Sequence, residues 1–192
     1  MEIKYDINQV IRARRSVFPQ LFDTTKTISK DIILQLLDNA NCAPTHKKTE
    51  PWRFTIIQGS GLQRLSEWLA EDYKAHAGDK FSEIKRKKTT KKPLQCAAVI
   101  AIVMERHEDS GLPEWEEIAA VACAVQNLWL SATAFGLGGY WSTPGAKDRF
   151  GEFIPLDENQ RCLGFFYLGV PREGLTLESP RGAIEDKINW VE

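Results

Sequence analysis

The chain predicts an α+β domain, a mixed and mainly antiparallel sheet flanked by helices on both faces. Three observations lead there. Cys96–Met104 and Arg161–Val170 are unbroken apolar runs rich in β-branched and aromatic residues, the signature of strands covered on both sides. Between them, about Glu114–Phe135 repeats apolar residues at alternating steps of three and four, as a buried helix does. The strands are separated by long helices, with too few β-α pairs for a doubly wound sheet. No repeat and no Pro/Gly/Ser-rich linker divides the 192 residues, so 1–192 is expected to be one domain.

The elements follow in order. Ile7, Val10 and Ile11 predict a first helix over about Tyr5–Arg14. Ser29 is placed to cap a second helix bearing Ile32, Ile33, Leu36, Leu37 and Ala40, which Pro44 ends. Arg53–Gln58 predicts a strand through Phe54, Ile56 and Ile57. Gly59-Ser60-Gly61 breaks it and opens a helix that turns Leu62, Leu65, Trp68 and Leu69 toward a core. The run 85–92 holds six Lys or Arg in eight positions. It reads as a solvated, mobile loop, or more sharply as a device that steers a phosphorylated nicotinamide or an anionic substrate. The long helix that follows is apolar nearly all round. Gln126, Asn127, Ser131 and Thr133 interrupt it before the ~20 residues a membrane span needs. Part of its surface is therefore expected to be covered by a second copy of the chain.

Hydrophobic residues make up 43% and charged residues 27%, ordinary for a globular protein, and the net charge is −1. That balance recruits neither nucleic acid nor an anionic membrane. The start, Met-Glu-Ile-Lys-Tyr-Asp, lacks the basic-then-apolar pattern of a signal peptide. Cys96, Cys123 and Cys162 lie inside apolar runs and read as buried thiols in a reducing compartment, with the cytoplasm as default. No Cys/His cluster with metal-ligand spacing occurs, so no metal site is expected.

Two segments carry the chemistry. Arg14-Arg15-Ser16 sets two guanidinium forks beside a hydroxyl at the end of the first helix. The bland reading is complementation of the helix dipole; the functional one is a bidentate phosphate clamp. Cys42-Ala43-Pro44-Thr45-His46-Lys47-Lys48-Thr49-Glu50-Pro51-Trp52 packs donors into an irregular turn between two fixed elements, suited to the polar edge of a planar ligand. A third segment, Gly136-Leu137-Gly138-Gly139-Tyr140-Trp141-Ser142-Thr143-Pro144, follows a helix and lacks the dinucleotide fingerprint. It reads as a helix cap and short strand, with Ser142 and Thr143 offering donors at its end.

Taken in order, these motifs and Leu163-Gly164-Phe165-Phe166-Tyr167-Leu168-Gly169-Val170-Pro171 resemble the FMN-dependent nitroreductase family, closest to its small, minimal-core members. The resemblance spans nearly the whole chain. It implies a homodimer with two FMN sites at the subunit interface. Arg14, Arg15 and Ser16 match positions that hold the phosphate and part of the flavin. Cys42, His46 and the loop through Lys48 match positions reached from the other subunit. Ser142, Thr143 and Pro144 match the turn beside the ring, and Arg181 resembles a C-terminal arginine that supplements the phosphate site. Nicotinamide contacts, by the same resemblance, fall near Phe135, Gly136 and Leu137. Implied too is ping-pong turnover: NADH or NADPH reduces the flavin, then a nitroaromatic, quinone or related acceptor is reduced, with no side chain acting as nucleophile or base. A flavin-dependent dehalogenase or flavin-degrading enzyme, and a flavin-binding or interaction protein without turnover, are the alternatives. One departure stands out. Many members carry a basic residue two positions after the serine, where this chain has Phe18; Lys47 or Lys48 is the candidate replacement.

Overall fold

The computed structural model describes residues 6–192. Helix α1 (Ile7–Ala13) starts at Asp6, whose carboxylate accepts from the Gln9 backbone N–H while the Gln9 side chain answers to the Asp6 N–H. Tyr5, where the predicted helix began, lies outside the described residues. Helix α2 (Lys30–Asn41) is capped by Ser29 as the sequence predicts, and its last turn closes at Cys42. Then come β1 (Trp52–Ile57), α3 (Ser60–His76), α4 (Glu83–Leu94), β2 (Ala98–Glu105), α5 (Glu114–Ala134), β3 (Gly138–Ser142) and β4 (Gln160–Gly169).

The four strands form one sheet in the order β1-β2-β4-β3, antiparallel at every pairing. The parallel component is a single bridge, Ser16 to Gly139, that joins the segment after α1 to the sheet edge. Central β2 explains the three layers. Ala98, Ile100, Ile102 and Met104 pack under α2 and α5; Val99, Ala101 and Val103 face α3 and the 3-10 segment Gly145–Glu152. Both faces of one strand are buried, so its sequence shows no alternation.

Two expectations change. The basic run 85–92 is not a loop but most of α4. Ser82 caps that helix, Glu83 pairs with Arg86 one turn on, and the Ser66 hydroxyl of α3 donates to the Thr90 carbonyl at 2.6 Å. Lys and Arg are good helix formers, and a docked inner face is all such a segment needs. Cys123, expected to be buried, is exposed. In α5 the covered stripe is Ala120, Val121, Ala124, Val125, Leu128 and Ala132; the opposite stripe, through Trp115 and Cys123, faces outward. A helix apolar all round does not reveal by its periodicity which stripe meets its own sheet. Among the described residues, no helix is long and apolar enough to cross a membrane.

Candidate functional site

Arg14 ends α1, its backbone N–H donating to the Val10 carbonyl at 3.0 Å. The chain then runs extended along β3, and the Val17 N–H donates to the Gly139 carbonyl at 2.9 Å. Close approach here needs glycine: a Cβ on Gly138 would lie 2.8 Å from the Val17 Cβ, and one on Gly139 would lie 2.2 Å from the Phe166 ring of β4. The tethering fixes where Arg14, Arg15 and Ser16 point. The Arg14 guanidinium lies over the Trp129 ring of α5, 4.5 Å from its centroid. Arg15 is braced by the Leu177 carbonyl at 3.1 Å and the Arg14 carbonyl at 2.8 Å. Arg181 arrives from the C-terminal segment, its guanidinium held by the Pro180 carbonyl at 3.2 Å.

These arginines come close enough to feel one another. Partial burial lowers the basicity of Arg14, and the charges of Arg181 and Arg15 lower it further. Among the described residues no carboxylate pairs with any of the three. Clustered guanidinium groups without a carboxylate partner have donor chemistry that suits a phosphate. The exposed Ser16 hydroxyl adds a donor beside them.

Two further parts adjoin. Gly136 and Leu137, just past α5, line a cleft of about 360 Å³ together with Arg15 and Leu177. Gly136 has φ 71°, the left-handed value that closes a helix cheaply only with glycine. Phe135 instead packs against the core beneath α2 and α5. At the far end of β3, Ser142 and Pro144 are partly buried and Thr143 is exposed. The indole N–H groups of Trp129 and Trp141 are buried without an acceptor, one under Arg14 and the other next to Ser142.

Cys42, His46 and Lys48 sit elsewhere. His46 Nδ1 lies 2.7 Å from Glu116 Oε2 at the start of α5, and the Lys47 ammonium donates to the Ser110 carbonyl at 2.5 Å. The Thr45 hydroxyl accepts from the Glu50 N–H at 3.1 Å, closing the loop on itself. The non-glycine residues with left-handed φ among those described are Lys47 (51°), Lys48 (56°) and Glu50 (44°), all in this one loop. Such strain persists only where neighbours enforce it, and it gathers at binding sites. Glu116 and Trp129 are 13 positions apart on α5, so roughly 20 Å of helix separates the two halves within one chain.

The structure thus brings Arg14, Arg15, Ser16 and Arg181 together, with Gly136 and Leu137 adjacent. It leaves the His46 loop at the opposite end of the same helix. Trp129 and Glu116, the α5 residues that receive Arg14 and His46, were missed in the sequence. A Trp on an apolar helix and a Glu in its first turn carry no local signal of either partner.

A three-layer α+β fold carries a strained donor loop and an arginine cluster at opposite ends of one long helix. Comparison makes it specific. The model of the Nitroreductase family matches residues 11–170, and the chain belongs to that family. A relative named "Putative NAD(P)H nitroreductase YdjA" from Escherichia coli (strain K12) is 31% identical over 136 residues, covering 68% of this chain and 70% of the relative. A crystal structure of a nitroreductase-like family protein from Bacillus cereus superposes with TM-score 0.79 at 29% identity, covering 100% of this chain and 99% of the other. The same fold occurs in a nitroreductase with bound FMN from Bacteroides fragilis NCTC 9343, with TM-score 0.74 at 22% identity over 98% of this chain and 100% of that one.

Proposed function

We propose that residues 1–192 form one FMN-binding unit that works as a homodimer, an NAD(P)H oxidoreductase reducing nitroaromatic, quinone or related acceptors. The observation that carries it is the arginine cluster: Arg14, Arg15 and Arg181 converge with no carboxylate partner among the described residues, where Ser16 and the end of β3 can receive the rest of the nucleotide. Family membership and the FMN bound in the Bacteroides fragilis nitroreductase point to the same ligand.

The homodimer reading rests on α5. Its outward stripe, with Trp115 at 65% exposure, is apolar, as are Ile7 and Ile11 of α1 and the tail residues Ile184, Ile188, Trp190 and Val191. Patches of this kind mark an interface. Midway between Glu116 and Trp129 the helix passes Ala122 and Cys123. A two-fold axis there would carry the His46 loop of one copy to the arginine cluster of the other. The separation of the halves in one chain then becomes the means by which two chains complete two sites.

In this reading Arg14, Arg15 and Arg181 hold the phosphate and Ser16 donates beside them. Ser142, Thr143 and Pro144 lie beside the ring, while Cys42, His46 and Lys48 come from the second copy. Lys47 or Lys48 places positive charge near the pyrimidine edge where Phe18 cannot. Gly136 and Leu137 form the near wall for the nicotinamide. When bound, the flavin supplies the redox chemistry, taking reducing equivalents from NADH or NADPH and delivering them to the acceptor in ping-pong fashion. The chain's part is to anchor, to orient and to exclude water. The reading places the protein in the cytoplasm, where the buried thiols Cys96 and Cys162 stay reduced.

Stopped-flow mixing of the flavin-loaded protein with NADH or NADPH tests the proposal. Bleaching of the yellow colour within seconds, followed by its return on adding a nitroaromatic or quinone, is expected. A flavin that stays oxidised would reduce the protein to a flavin binder.

A further inference from the structure

Glu117, in the first turn of α5, is 1% exposed, and a carboxylate so deep is costly unless its oxygens are met. Three nitrogen atoms meet it. The Arg106 guanidinium pairs with Oε2 through Nη1, the His107 backbone N–H donates to Oε1 at 3.2 Å, and the His107 ring Nδ1 lies 3.2 Å from the same oxygen. Arg106 and His107 are consecutive, so the chain leaving β2 is bent around the carboxylate. The bend is fastened as far as Leu112. Arg106 Nη2 donates to the Leu112 carbonyl, while the Ser110 hydroxyl donates to the His107 carbonyl at 2.6 Å and accepts from the Leu112 N–H at 3.2 Å.

This bend braces the strained loop. Its Ser110 carbonyl accepts from the Lys47 ammonium, and Glu116, the residue before Glu117, takes His46. Two neighbouring carboxylates at the start of α5 thus hold the segment His46–Lys48, Glu116 directly and Glu117 through the bend. Left-handed residues other than glycine keep that conformation only where their surroundings enforce it, and Lys47, Lys48 and Glu50 all do so here. Lys47 is committed to the brace. Lys48 is exposed, and among the described residues no carboxylate pairs with it. A buried ion pair adds little to stability over a well-packed apolar replacement, so bare stability does not account for Glu117. An apolar side chain there would release Arg106, His107 and, through Ser110, Lys47.

We propose that Glu117 is a positioning residue: through Arg106, His107 and Ser110 it fixes Lys47 as a strut and leaves Lys48 as the loop's free cation for the ligand. The proposal rests on the reading above that this loop meets the pyrimidine edge of a flavin held by the second copy. A cation fixed at that edge favours reduced flavin over oxidised flavin and so raises the flavin potential. Phe18 supplies no such charge. Lys48 supplies it, and Glu117 sets how firmly it is held in place.

The test combines the midpoint potential of FMN in the loaded protein with hydrogen exchange at the Thr49 and Glu50 amides, which are hydrogen-bonded within the loop. Lys48→Gln should weaken binding of reduced flavin about ten-fold relative to oxidised flavin, a drop of about 30 mV for a two-electron couple, and Lys48→Arg should keep the wild-type value. Glu117→Gln should lower the potential in the same direction and speed exchange at both amides. The double variant Lys48→Gln/Glu117→Gln should fall no lower than Lys48→Gln alone, because both changes act through one ammonium group. If Glu117→Gln does not fold, Lys47→Met cuts the same brace from its exposed end and should show the same two changes. A Glu117→Gln protein that melts earlier yet keeps the wild-type potential and exchange overturns the proposal. An unchanged potential in Lys48→Gln, or additive drops in the double variant, overturns it too. A wild type that takes up no FMN removes the flavin reading and the role of Lys48 with it. Faster exchange in Glu117→Gln would then still uphold its hold on the loop, and unchanged exchange would overturn that as well.

Discussion

The two ends of α5 are built on opposite plans. At its C-terminal end, Arg14 lies over Trp129 with Arg15 and Arg181 close enough to lower its basicity, and among the described residues no carboxylate pairs with any of the three. At its N-terminal end, the His46 loop is paired internally: His46 with Glu116, Lys47 with the Ser110 carbonyl, Thr45 with the Glu50 N–H. One end stores unbalanced charge, and the other stores backbone strain at Lys47, Lys48 and Glu50. The contrast separates two tasks. Excess charge gives affinity for an anion, whereas a rigid loop gives shape, and a ligand with a phosphate at one end and a flat ring at the other needs both.

The largest effect should come from breaking the charged end. Arg14→Ala combined with Arg15→Ala should weaken FMN binding by roughly 10²–10⁴-fold, since each charge-assisted contact contributes about 1.5–3 kcal/mol. Flavin retention after gel filtration reads this out; undiminished retention would remove the phosphate assignment.

Next is the pair that ties α3 to the segment after β3, Asp72 with Arg149. Asp72→Ala should cost on the order of 2–4 kcal/mol in urea unfolding, because Arg149 is left partly buried without its carboxylate. The damage should stay on the α3 side, leaving flavin affinity within a few-fold. A loss confined to flavin affinity would mean that the two sheet faces are not independent.

Gly139→Ala sharpens the comparison by shifting the charged end without touching a charge. The new methyl group collides with the Phe166 ring, and overpacking of this kind costs about 1–3 kcal/mol. It should also loosen the bridge to Ser16 and lower FMN affinity several-fold. Stability lost with affinity untouched would show that the bridge does not position the arginines.

At the strained end, His46→Ala removes an exposed pair of about 0.2–1 kcal/mol, so thermal stability should scarcely move. Flavin affinity, measured above the dimer dissociation constant, should fall about ten-fold, and stability falling more than affinity would contradict the shared-site reading.

The smallest effect is a labelling pattern. Thiolates are the reactive form, and burial pushes Cys162 up to about 11 and Cys96 higher still, so both should resist alkylation near pH 8. Cys123 is exposed in the single chain and lies on the outward stripe of α5. It should label in dilute, dissociated protein and be protected in concentrated protein. Equal labelling at both concentrations would argue against pairing through α5.

What the sequence made legible follows from what each pattern encodes. Central β2 and β4 were readable because burial on both faces leaves an unbroken apolar run, and α2 because Ser29 and Pro44 mark its ends. The arginine pair and the donor loop stood out because such residue types rarely gather without a task. α4 was not legible: six basic residues resemble a solvated loop until Ser82, Glu83 and a docking face on α3 are in place. The outward position of Cys123 was hidden for the opposite reason, since apolar residues all round α5 carry no orientation. The Asp72–Arg149 pair needed α3 to be brought against the segment Gly145–Glu152, and only the fold does that.

The central claim is that two copies of this chain share each flavin nucleotide. Equilibrium sedimentation of the FMN-loaded protein, followed at the visible flavin band, tests it most directly. The account predicts that the flavin signal travels with the mass of two chains and a stoichiometry of one FMN per chain. Flavin sedimenting with the mass of one chain, or a preparation that stays colourless after FMN is added, would contradict it.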